Sequence, residues 1–99
     1  MKYNKLKKDL NFVESVLGEL SNKLDKAEEN ENGFQNMQAQ QRYLELKKEC
    51  YNVLGIKILI ERLLNKNIFE YETYIIYNLV KNEVEVLKEK YPNFVDEDE

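Results

Sequence analysis

Residues 3–27 read YNKLKKDLNFVESVLGELSNKLDKA. Tyr3, Leu6, Leu10, Val13, Leu17, Leu20, Leu24 and Ala27 alternate spacings of three and four, which lays all eight side chains along one stripe of a helix. Lys7, Asp9, Glu14, Lys23 and Glu28 flank the stripe, while Phe12 and Val16 widen it to one side. A seam this regular predicts a helix over about residues 3–28, roughly 40 Å long at 1.5 Å per residue, that touches more than one neighbour.

The polar run Glu28 to Gly33, with its Asn-Gly pair, reads as a reversal of the chain. A second helix is predicted over about 35–65. Tyr43, Leu44, Cys50, Tyr51, Leu54 and Ile58 form its stripe, joined at one edge by Leu46, Val53, Ile60 and Leu64. Ile56, Leu59 and Leu63 fall on the opposite side, so the helix is apolar nearly all round from Val53 onward. Asn67 followed by Glu70 has the form of a capping box, and a third helix is predicted over about 68–91. Tyr77, Val80, Val84, Leu87 and Tyr91 give it a seam, and Pro92 stops it. Ile75, Leu79 and Val86 make a second ridge away from that seam.

Short connections between long helices imply antiparallel neighbours. The expected fold is all-α: an antiparallel hairpin of two long helices with a shorter third helix on it, a three-helix bundle with coiled-coil-like packing. With 99 residues there is room for one domain, taken as residues 1–95, followed by the acidic tail Asp96-Glu97-Asp98-Glu99. Three Gly and one Pro are too few for a turn-rich sheet protein. The longest apolar stretch, Val53 to Ile60, is broken by Gly55 and Lys57 and far shorter than the roughly 20 residues of a membrane helix.

The residue inventory argues against catalysis. Histidine is absent, which removes the commonest general base and transition-metal ligand together. Cys50 has no His to pair with and reads as a small core residue. Glu28, Glu29 and Glu31 lack the spacing of a calcium loop, and Gly18, Gly33 and Gly55 are isolated, so no phosphate loop is present. Neither a cofactor nor a metal is expected. A single Cys without a CxxC pair suits a reducing, cytoplasmic setting.

What remains is recognition. The ridges Ile56, Leu59, Leu63 and Ile75, Leu79, Val86 exceed what a short bundle usually hides, and Tyr71 and Tyr74 beside them suit a surface that is apolar at one end and wet at the other. These eight residues are the expected protein interface, toward another protein or a second copy in a homodimer. The expected function is a small helical adaptor or inhibitor. A composition rich in Lys, Asn, Ile, Tyr and Glu, as AT-rich codons produce, suggests a low-GC bacterium or its phages, and so a blocker of a host enzyme or defence system. The net charge of -4 disfavours direct nucleic-acid binding. The alternative is an acidic nucleic-acid mimic, or a weakly binding accessory protein, since nine acids stand against three Lys from Asn67 onward.

Overall fold

The structure, a computed structural model, describes residues 3–29, 37–65 and 70–95, with side chains for 3–27, 37–65 and 72–95. Three helices pack against one another: α1 (Tyr3–Glu29), α2 (Met37–Asn65) and α3 (Glu70–Lys90), followed by a short 3-10 turn at Pro92–Phe94. No strand occurs among the described residues. The predicted reversal at 28–33, the Asn67 to Glu70 capping box and the acidic tail lie outside the residues whose side chains are described.

The α1 seam packs as its periodicity requires. Leu6, Val13 and Leu20 are buried, and Leu10, Leu17 and Leu24 are partly so. Phe12 and Val16 are as deeply placed as the seam itself, because α1 contacts α2 along its length and also meets α3 and the 3-10 turn. From α2 come Cys50, Val53, Ile56, Ile60 and Leu63, and from α3 Val80, Val84 and Leu87. Val13, Val16, Val53, Ile60 and Val80 are sealed, each worth about 1.5–3 kcal/mol of apolar burial.

On α2 the core face is rotated away from part of the expected stripe, while Cys50, Val53 and Ile60 lie inside. Ile56 and Leu63, read as a surplus ridge, are core residues at 7% and 3% exposure, and Leu59 is partly buried against them. Leu44, Tyr51, Leu54 and Ile58, read as part of the inner stripe, stand outside. The physical reason is charge. The inner line Leu46, Cys50, Val53, Ile56, Ile60 and Leu63 is free of charged residues, whereas the outer line runs through Lys47 and Glu61, which are costly to seal away from water.

The turn after α3 packs against the core. Tyr91 leaves helical geometry at φ -127°, ψ 61°, ahead of Pro92. The Phe94 N–H donates to the Tyr91 carbonyl at 3.2 Å and the Val95 N–H to the Pro92 carbonyl at 3.2 Å. This turn folds Phe94 and Val95 back against the bundle.

Candidate protein-interaction surface

The third helix is tied down by charged and polar contacts near its C-terminus. Lys88 Nζ lies 3.4 Å from Asp9 Oδ1, and the Asp9 residue is 5% exposed. Lys90 Nζ lies 3.5 Å from Glu49 Oε1, on a more open flank. The Tyr91 phenol stands by the Glu49 carboxylate. Burial first, then hydrogen bonding to Glu49 and the negative charge of that group, push the phenol up to about 12. Asp9 and Glu49 therefore hold α3 against α1 and α2 through two lysines and one tyrosine.

With the inner faces so fixed, the outer faces of α2 and α3 are left open. Leu44, Lys47, Tyr51, Leu54, Ile58, Glu61 and Asn65 follow three-four spacing without a break and form a second seam on the side of α2 away from the core. Its apolar members are substantially exposed, Tyr51 at 62% and Ile58 at 44%. On α3, Ile75 at 62%, Leu79 and Val86 form a matching outward line. Between the helices lies an open groove of about 640 Å³, walled by Tyr51, Gly55, Ile56 and Leu59 on one side and by Leu79, Val80 and Glu83 on the other. A Cβ built on Gly55 would meet nothing within 4 Å, so this chain's own packing does not call for glycine there.

Of the eight interface residues expected from sequence, Tyr74, Ile75, Leu79 and Val86 lie on the surface. Ile75, Leu79 and Val86 share one face, while Tyr74 points to a different side of α3. Ile56 and Leu59 line the groove, Leu63 is interior, and the Tyr71 side chain lies outside the described residues. The sequence reading missed Leu44, Tyr51, Leu54 and Ile58 as surface residues. The available signal was the interruption of their line by Lys47 and Glu61.

No family model, curated protein or solved structure matches this chain. Its chemistry must be read from the residues themselves. Among the described residues, no three Asp, Glu or Cys side chains converge as metal ligands. Cys50 is a buried free thiol, pushed up by desolvation and then by the Glu49 charge, which disfavours the nucleophilic thiolate. Among the described residues no helix is long and apolar enough to cross a membrane.

Proposed function

We propose that this chain is a non-enzymatic protein-interaction module that binds through the outward seam of α2 and the outward line of α3. The observation that carries this reading is that α2 has two apolar seams on opposite sides and the bundle covers one of them. Contiguous exposed apolar lines are destabilising to solubility unless a partner covers them, and they commonly mark interaction sites. The absence of His and the burial of the lone thiol support a role without catalysis.

The finer architecture belongs to the same reading: α1 and α2 as an antiparallel hairpin with coiled-coil-like packing. Residues 29 and 37 are eight residue steps apart along the chain, a reach of at most about 29 Å. The 27 residues of α1 span about 40 Å, so a connection running back along it to start a parallel, side-by-side α2 would be too short.

A variant carrying Tyr51→Ser, Ile58→Lys and Leu79→Ser tests the proposal. It should keep the wild-type helical circular dichroism, because the three side chains lie outside the core, and should fail to retain the partner, or the untagged second copy, that tagged wild type retains. Equal retention by a folded variant would refute the proposal.

A further inference from the structure

We infer that the outward seam of α2 is covered by a second copy of this chain, packed antiparallel about a two-fold axis beside Leu54. The inference rests on the interaction reading above and names its partner. Lys47 and Glu61 each lie seven residues from Leu54, on opposite sides of it and on the same line. Seven residues are two helical turns, or about 10 Å.

Opposite charges placed symmetrically about an apolar centre are self-complementary in one orientation. An antiparallel copy with Leu54 facing Leu54 brings Lys47 of each chain toward Glu61 of the other, so both ends of the contact are matched at once. Tyr51 of each chain falls beside Ile58 of the other and closes the apolar centre. A parallel copy in register would set Lys47 on Lys47 and Glu61 on Glu61, which is repulsive at both ends. Such an interface is isologous, the form that closes as a dimer and does not grow into fibres.

The local contacts are compatible with this arrangement. Glu61 is held by Lys57 at 3.9 Å on its own helix, in a pair that is open to solvent, and remains available to a second ammonium group. The Lys47 ammonium sits 5.9 Å from the centre of the Tyr43 ring, a loose contact that leaves its donors free to turn outward. Gly55 adjoins the seam and presents no side chain to hold a second helix away.

Sedimentation equilibrium tests the inference on the whole chain. Wild type should reach twice its 11.9 kDa monomer mass. Lys47→Glu and Glu61→Lys, each of which creates two like-charge contacts, should weaken the dimer about tenfold. The double exchange, with circular dichroism confirming the fold of every variant, should restore it. Leu54→Cys should oxidise to a covalent dimer, which needs Cβ atoms within about 4.5 Å, while wild type with its buried Cys50 should not. A monomer at all concentrations up to about 500 µM, a dimer indifferent to the charge exchanges, or a Leu54→Cys chain that does not cross-link would overturn the inference. If the chain is monomeric but the Tyr51, Ile58, Leu79 variant loses a different protein, the interaction reading stands and the second copy falls; if neither association exists, both fall.

Discussion

Replacing Lys88 by Met keeps most of the aliphatic stem and removes the charge that faces Asp9. Asp9 is 5% exposed, and its carboxylate would then lose the ammonium that stands 3.4 Å away. Removing one member of a buried pair typically costs 3–5 kcal/mol, about the penalty of an uncompensated buried charge. Lys88 retains 19% side-chain exposure, so water reaches the gap and the expected loss is about 2–3 kcal/mol. That is a large share of the roughly 5–15 kcal/mol that stabilises a domain of this size. Urea unfolding followed by circular dichroism should show the midpoint falling by about 1–2 M at typical slopes. Lys90→Met, which breaks the more open pair with Glu49, should cost less than about 1 kcal/mol. Asp9→Leu combined with Lys88→Met should recover most of the loss, since an apolar pair of similar volume replaces the ionic one. A Lys88→Met midpoint equal to that of Lys90→Met would refute the assignment of a buried tie between α1 and α3.

Three further outcomes follow from the same structure. Because the Tyr91 phenol is raised to about 12 from the usual 10, the unfolded chain ionises first, and the contribution of this group is complete below pH 10 and lost as pH rises toward 12. Tyr91→Phe should therefore flatten the part of the alkaline stability loss, at most about 2–3 kcal/mol, that falls between those values; an unchanged slope would count against the Glu49 contact. Cys50 should react with a thiol reagent at least about 100-fold more slowly in the native chain than in urea, and comparable rates would contradict its burial. Gly18→Ala should stabilise the chain by about 0.5–1 kcal/mol in thermal melts, since the new methyl meets nothing within 4 Å and glycine is a poor helix former. A loss of stability there would mean that α1 has a neighbour at that point.

The helices were legible in the sequence because each carries a seam of three-four spacing over several turns, and the seam of α1 also fixed its inward face. Periodicity failed on α2 for a physical reason: two seams on opposite sides of one cylinder give little net amphipathicity, and either can face inward. The choice is made by the charges, since turning the line through Lys47 and Glu61 into the apolar core of this bundle would leave those groups unmatched. Asp9 was read as a flanking charge because its partner, Lys88, is 79 positions away along the chain. Phe94 and Val95 were not recognised as packing residues, because only the turn after Pro92 returns them to the bundle. The outward line of α3 was legible because Ile75, Leu79 and Val86 stand directly opposite a second complete seam.

A photoactivatable benzoylphenylalanine placed at Ile58, compared with one at Glu14 on the outer side of α1, tests most directly whether the outward face of α2 is a binding surface. Irradiated in the cells that naturally encode the chain, the probe at residue 58 should give a discrete cross-linked product, either a second copy or one other protein, and the probe at residue 14 should not. No product at residue 58, or the same products at both positions, would contradict the account.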